Sequence, residues 1–181
     1  MARWGLLLFA LVACSKAAPA PALAIPKTTG VLKLDGELGE ADWNDRALRH
    51  GFTSANGEAS RPFSEVRWLH DAKNLYVGLY AADEDIQSRD FFELTIGQLV
   101  LHADATGKIT PAVAGLTSAI DSDGTLDDPS NDDEEWVYEI VIPLPATGLA
   151  AGPELVRAAR CDTPKDGIVR CGAWSGRVEL E

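Results

Sequence analysis

The sequence has few basic residues and few soft metal ligands. Its 181 residues carry 28 acids against 16 bases, a formal net charge of −12, together with only three cysteines and three histidines. An acidic chain repels phosphate groups, which argues against nucleic acid and against an anionic membrane surface as partners. The composition therefore suits a soluble body, a sugar-facing surface or a cation binder.

Motifs of common hydrolases are also absent. The three histidines, His50, His70 and His102, stand singly, and the chain contains neither H-E-x-x-H nor G-x-S-x-G. Acids are so numerous that chance pairs are expected, so a pair of carboxylates does not by itself predict glycoside hydrolysis. We therefore expect a protein that is not an enzyme.

The apolar run at the start of the chain is too short for a stable bilayer anchor. Met1–Arg3 form a short basic region and Trp4–Val12 an apolar one, which is the pattern of an export signal. The run ends in Leu11–Cys14, L-V-A-C, which resembles the lipobox of bacterial lipoproteins. There a peptidase cuts before the cysteine, and the thiol carries diacylglycerol. The alternative is an ordinary secretory signal followed by a chance cysteine.

These features divide the chain into a signal peptide (1–13), a tether (14–27) and a domain (28–181). The tether is rich in alanine and proline and has an extended bias. The remaining length suits one domain with a single two-layer core. We expect a monomer exported to the bacterial cell envelope, whose contact with the outer membrane or cell surface is the lipid on Cys14.

The strongest structural pattern runs from Glu65 to Asp83. Two apolar runs, Val66–Leu69 and Leu75–Ala82, flank a polar break at His70–Asn74. The second run alternates with period two, and both of its faces are largely apolar. The pattern predicts a β-hairpin at the centre of a sheet, which must be covered on both sides.

Other stretches predict further strands around this hairpin. The predicted strands are Thr28–Leu34, Phe91–Gly97, Gln98–Ala103, Trp136–Pro143 and Leu155–Arg160. Glu37–Trp43 predicts one or two helical turns, with Trp43 closing one end of the core. We predict an all-β fold, an antiparallel, jelly-roll-like β-sandwich of two sheets with one or two short helices.

The two cysteines beyond Cys14 predict a disulfide. Cys161 and Cys171 are the remaining pair in a chain that carries an export signal, and exported cysteines usually pair. Pro164 and Asp166-Gly167 between them predict the turn of a hairpin.

Two acidic stretches are candidates for a cation site. Asp83, Asp85 and Asp90 follow a predicted core strand that can hold their carboxylates in place, and hard oxygen ligands suit Ca²⁺. Residues 121–135 carry eight acids and no base, but their glycine falls at the fourth place of a calcium loop rather than the sixth. We interpret this run as a solvated loop and expect any calcium near the first cluster.

The order of these motifs resembles the family 9 carbohydrate-binding modules. The residues that carry the resemblance are L-D-G-E-L-G-E-A-D-W, V-R-W-L-H-D-A-K-N-L-Y-V-G-L-Y-A-A-D, R-D-F-F-E-L, W-V-Y-E-I-V-I-P-L, R-A-A-R and A-W-S, between Val31 and Glu181. The resemblance implies a sandwich of two antiparallel sheets that binds a polysaccharide such as xylan. It also implies that structural calcium sometimes accompanies the fold.

The resemblance further implies a sugar held between two tryptophans. One position falls just before Arg89, where this chain has Gln87 and no aromatic residue, and the other falls near Trp174. The candidate ligand-binding residues are therefore Trp174, Gln87 and Arg89, with Trp174 at the rim of the sandwich and Trp68 and Trp136 in its core. The alternative is an envelope module with a structural or interaction role that has lost sugar binding.

The lipid on Cys14 can be tested directly. We expect Cys14→Ser to release the protein from the membrane fraction, because the modified thiol would be its only membrane contact. Fractionation of cells that express the wild-type chain or the variant measures this. A variant that sediments with membranes as the wild type does would refute the anchor.

Overall fold

The computed structural model describes residues 20–181 and shows two β-sheets packed face to face. The signal peptide and Cys14 lie outside these residues. The elements are β1 (Leu23–Ile25), α1 (Ala41–Asp45), β2 (Leu48–Gly51), β3 (Ser64–His70), β4 (Asn74–Ala82), β5 (Phe91–Ile96), β6 (Leu99–Asp104), β7 (Ile109–Thr110), β8 (Thr117–Asp123), β9 (Glu135–Pro143), β10 (Glu154–Asp162) and β11 (Arg170–Leu180). Short 3-10 turns at Leu144–Ala146 and Leu149–Ala151 lead into β10.

Six strands form one sheet, in the order β1-β11-β10-β5-β6-β7, and five form the other, in the order β2-β3-β4-β9-β8. Paired strands are antiparallel throughout both sheets except β1, which pairs with β11 in parallel. The predicted all-β sandwich is therefore confirmed. No helix among residues 20–181 is long and apolar enough to cross a bilayer.

The predicted central hairpin is present. β3 and β4 pair with Val66 opposite Leu79 and Trp68 opposite Val77, and β4 is the middle strand of the five-stranded sheet. Every residue of β3 is buried, because one face packs into the core and the other lies beneath a covering segment. Trp136 in β9 is also fully buried, as predicted.

Residues 28–45 cover the outer face of the five-stranded sheet. They contain no strand, contrary to the prediction for Thr28–Leu34, because the side chain of Asp42 binds their polar groups instead of a neighbouring strand. Its Oδ2 accepts the backbone N–H groups of Thr29 and Gly30 at 2.6 and 3.0 Å. The predicted helical turn is present as α1, and Trp43 is buried with its Nε1 donating to Glu139 Oε1 at 2.9 Å.

The cover approaches β4 closely at Gly78. A Cβ atom there would lie 2.6 Å from Leu38 Cδ2 and 3.5 Å from the ring of Trp43. The missing side chain on this strand therefore makes room for the two apolar residues that seal the outer face.

The sandwich begins earlier in the chain than predicted. β1 lies within the segment predicted to be a tether, and its three residues pair with Val178, Glu179 and Leu180 of β11. Ile25 is fully buried in the core. The domain boundary therefore lies before β1 rather than at residue 28, because Leu-Ala-Ile is apolar enough to complete the open edge of β11.

The predicted disulfide is confirmed. Cys161 and Cys171 are directly opposite each other on β10 and β11, and their sulfur atoms are bonded at 1.98 Å. The bond fixes the base of the hairpin that continues from these two strands.

The carboxylate of Asp42 should make folding stability depend on pH. Hydrogen bonds from the Thr28 hydroxyl and from backbone N–H groups hold its pKa well below the usual value of 3.8. Because this pKa is lower in the folded state than in the unfolded state, Asp42 contributes its full stabilisation above the unfolded-state pKa of about 3.8. This stabilisation is lost as the pH falls from there through the folded-state pKa. We expect Asp42→Asn to lower the free energy of unfolding by about 1–3 kcal/mol at neutral pH.

Urea unfolding of both proteins between neutral pH and about pH 3 measures the effect, since the gap between their free energies of unfolding should narrow below about pH 4, where Asp42 protonates in the unfolded chain. A gap that stays constant over this range would contradict the assignment.

Candidate functional site

Two adjoining clefts lie at the end of the sandwich where β10 ends and β11 begins. The first cleft, of about 660 Å³, lies between residues 54–62 and residues 170–172. The second cleft, of about 430 Å³, shares four lining residues with the first, namely Arg61, Pro62, Asp162 and Arg170. Both volumes fall in the range of ordinary small-molecule sites.

Strand β10 carries two charged side chains to the floor of these clefts. Its inward-facing positions are Val156, Ala158, Arg160 and Asp162, and all four are buried. The first two pack in the core, whereas the last two lie at the end of the strand. The alternation of the strand therefore places a guanidinium and a carboxylate where the core gives way to the clefts.

The Arg160 guanidinium joins the two sheets. Its Nη2 donates to Asp83 Oδ2 at 2.7 Å and to Asp162 Oδ1 at 2.8 Å. Its Nη1 donates to the carbonyl oxygen of Ala82 at 2.6 Å and to Ser64 Oγ at 3.2 Å. Arg160 belongs to the six-stranded sheet, while Ser64 and Ala82 belong to β3 and β4 of the other sheet.

Three buried carboxylates lie close together beside this guanidinium. One oxygen from each of Asp83, Asp90 and Asp162 lies within 4.8 Å of the others. Burial raises the pKa of Asp162 to about 6, although Arg160 opposes the shift, and burial also raises the pKa of Asp90. The group therefore holds three carboxylates and one guanidinium, which pairs with Asp83 and Asp162, in a site with little solvent.

The set of predicted cation ligands needs a correction. Asp83 and Asp90 lie together as expected, but the carboxylate of Asp85 is outside the group and accepts the side-chain N–H of Gln87 at 2.8 Å. The third member is Asp162, which the sequence analysis missed. The sequence feature that could have identified Asp162 is its place in β10, where it follows Arg160 by two residues and so points to the same, inward side of the strand.

The acidic run at residues 121–135 is more ordered than a solvated loop. Its first three residues extend β8, and Asp133 is buried. The carboxylate of Asp133 accepts the backbone N–H groups of Ile86 and Thr125, each at 2.8 Å. The run therefore supports the loop that carries Asp83 and Asp85.

Gln87 and Arg89 line a third recess of about 510 Å³ beside the second cleft, together with Asp127, Pro164 and Lys165. Gln87 is half-buried and Arg89 is exposed. None of the residues that line the three clefts is aromatic. Gln87, the position where the resemblance implies a tryptophan, therefore lies at this end of the sandwich. No other aromatic residue lines the clefts in place of that tryptophan.

Trp174 lies elsewhere, at the lateral edge between the two sheets. Its ring is half-buried and stacks on His50, with ring centroids 4.2 Å apart and planes 7° from parallel. It also lies 6.3 Å from the ring of Trp68 and covers Gly176. Trp174 lines none of the three clefts, so the structure does not bring it together with Gln87 and Arg89, and His50 covers part of the surface expected to be exposed.

The fold of this chain is similar to those of solved carbohydrate-binding proteins. A family 9 carbohydrate-binding module from Caldicellulosiruptor kristjanssonii in complex with glucose has a TM-score of 0.58 and 12% identity, over 88% of this chain and 96% of that one. The same module in complex with cellotriose has a TM-score of 0.58 and 13% identity, over 88% of this chain and 94% of that one. A protein from Bacteroides uniformis, provisionally described as carbohydrate-binding, has a TM-score of 0.62 and 10% identity, over 88% of this chain and 99% of that one.

Neither a protein-family model nor a curated protein matches the chain. At 10–13% identity, the structural similarity concerns the fold, which extends over nearly the whole of each solved chain. The described part of this chain therefore has the β-sandwich fold of the family 9 carbohydrate-binding modules.

Proposed function

We propose that this domain is a non-catalytic carbohydrate-binding domain whose ligand lies in the first cleft. The observation that carries the proposal is a polar cleft of about 660 Å³ at the end of a sandwich with the fold of modules solved with glucose and cellotriose. Its lining supplies hydroxyl, amide, carboxylate and guanidinium groups, which are the partners that sugar hydroxyls need.

The polar groups of one wall already form a connected row. Ser54 Oγ donates to Asn56 Oδ1 at 2.6 Å, and Asn56 Nδ2 donates to Glu58 Oε2 at 3.1 Å. Arg160 and Asp162 form the opposite side of the floor. Side chains held in this way lose less conformational entropy when a ligand binds, which favours affinity. Without an aromatic platform, however, recognition depends on hydrogen bonds, and we expect affinity in the sub-millimolar range or weaker.

The alternative is an envelope module with a structural or interaction role that has lost sugar binding. The observation that favours it is the absence of aromatic residues from the lining of all three clefts, together with the stacking of His50 on Trp174. Under this alternative, Trp174 is a packing residue and the clefts hold only water.

We also propose that the domain is held at the bacterial envelope by lipid on Cys14, where it meets a polysaccharide such as xylan. β1 begins at Leu23, nine residues after Cys14. A fully extended chain of that length reaches about 30 Å. An anchored domain would therefore remain close to the membrane surface.

Titration of the purified protein with xylo- and cello-oligosaccharides tests the carbohydrate proposal. We expect binding that Asn56→Ala weakens about fivefold or more, since one hydrogen bond contributes about 1 kcal/mol. Trp174→Ala is the contrasting variant and should lower the unfolding midpoint while the folded fraction still binds. Loss of binding in Trp174→Ala alone would move the site to that ring, and no binding by the wild type would favour the interaction module.

We further propose that Ca²⁺ binds beside Asp83, Asp90 and Asp162. Support comes from three converging carboxylates with a single guanidinium among them, and from Asp162 Oδ2, a buried oxygen with no hydrogen-bond partner among the described residues. Hard carboxylate oxygens are the ligands that calcium prefers. These residues would hold the ion as a structural element rather than as a chemical reagent.

Calorimetry of EDTA-treated protein tests the calcium site. With calcium at about one hundred times its Kd, we expect the unfolding midpoint to rise by about 5–10 °C. Asp162→Asn should abolish this rise, whereas Asp166→Asn, an exposed acid on the same hairpin, should preserve it. An unfolding midpoint of the wild-type protein that does not change when calcium is added would refute the site.

A further inference from the structure

We infer that the saccharide bound in the first cleft carries a carboxylate, as a uronic acid does, and that Arg61 pairs with it. This inference rests on the proposed carbohydrate-binding function and specifies the class of ligand. It follows from the charges that line the cleft, from the pairing of its arginines and from the row of polar groups on its wall.

The first cleft is the less acidic of the two. Its lining contains three arginines, Arg61, Arg160 and Arg170, against two acids, Glu58 and Asp162. The second cleft has three bases against five acids. An anionic ligand is therefore repelled less in the first cleft than in the second, and what attracts it there depends on which arginine is unpaired.

Arg61 is the arginine of the first cleft that is available to an anion. Arg160 is neutralised by Asp83 and Asp162, and Arg170 is paired with Asp166. Among residues 20–181, Arg61 forms no ion pair and no side-chain hydrogen bond. It is exposed and lies where the first and second clefts meet, so a carboxylate at the rim can reach its guanidinium.

The wall of the first cleft supplies groups for the hydroxyls of a sugar. Ser54, Asn56 and Glu58 form a connected row of hydroxyl, amide and carboxylate groups that solvent can reach. Such groups can donate to and accept from sugar hydroxyls, directly or through a bridging water.

A uronic acid satisfies both parts of the site. Its hydroxyls suit the polar row of Ser54, Asn56 and Glu58, and its carboxylate suits the unpaired arginine at the rim, where a planar guanidinium can make two parallel hydrogen bonds. Glucose lacks the carboxylate, and acetate lacks the hydroxyls.

Calorimetric titrations of the purified protein with sodium glucuronate, glucose and sodium acetate test the inference. At low ionic strength we expect glucuronate to bind about tenfold more tightly than glucose, and acetate to bind more weakly than either. In about 1 M salt the preference for glucuronate should shrink, because the paired charges are exposed at the rim.

Arg61→Ala should bring the ratio of the glucuronate and glucose affinities close to one. Arg177→Ala removes the same charge on β11 outside the cleft and should leave the ratio as in the wild type. Equal binding of glucose and glucuronate by the wild type would overturn this inference and leave carbohydrate binding in place. Acetate binding as tightly as glucuronate would overturn the sugar part, and failure of every saccharide would overturn the proposed function as well.

Discussion

The guanidinium of Arg160 is the constraint on which the end of this sandwich depends. It projects from the six-stranded sheet, binds Ser64 and Ala82 of the other sheet, and holds Asp83 and Asp162 in place. Removing such a buried charge leaves its partners uncompensated, at a cost of about 3–5 kcal/mol. The same contacts close the end of the core and form the floor of the first cleft, so stability and recognition share one side chain.

The distribution of charge around Arg160 gives the two sides of this region opposite preferences. Toward Asp83 and Asp90 the carboxylates outnumber the guanidinium, and a cation would relieve the imbalance. Toward the first cleft, the guanidinium of Arg61 is exposed and unpaired among the described residues, and it favours an anion. Asp162 lies between the two regions, since it belongs to the acidic group and also lines the cleft. A change in its charge would therefore be felt on both sides.

Strands β4 and β9 were predictable because burial of both faces leaves a nearly continuous run of apolar, aromatic and β-branched residues in the sequence. β1 was missed because three residues are too few to show a period, and its formation depends on the free edge of β11, which is distant in sequence. The strand predicted for Thr28–Leu34 was wrong because the Asp42 side chain binds backbone N–H groups that a strand would donate to its neighbour. The placement of Asp162 beside Asp83, and of His50 over Trp174, depends on strand order, which local patterns do not contain.

The position of β1 has a consequence for any shortened form of this chain. A chain that starts at residue 28 keeps every strongly patterned strand, yet it loses Ile25 from the core and the only partner that β11 has on that side within the described residues, apart from the isolated bridge at Ala173. An uncovered strand edge with a hydrophobic gap beside it is a template for edge-to-edge association. Such a fragment would be prone to aggregate. The three residues of β1, at the end of the predicted tether, therefore protect the edge of β11 from edge-to-edge association.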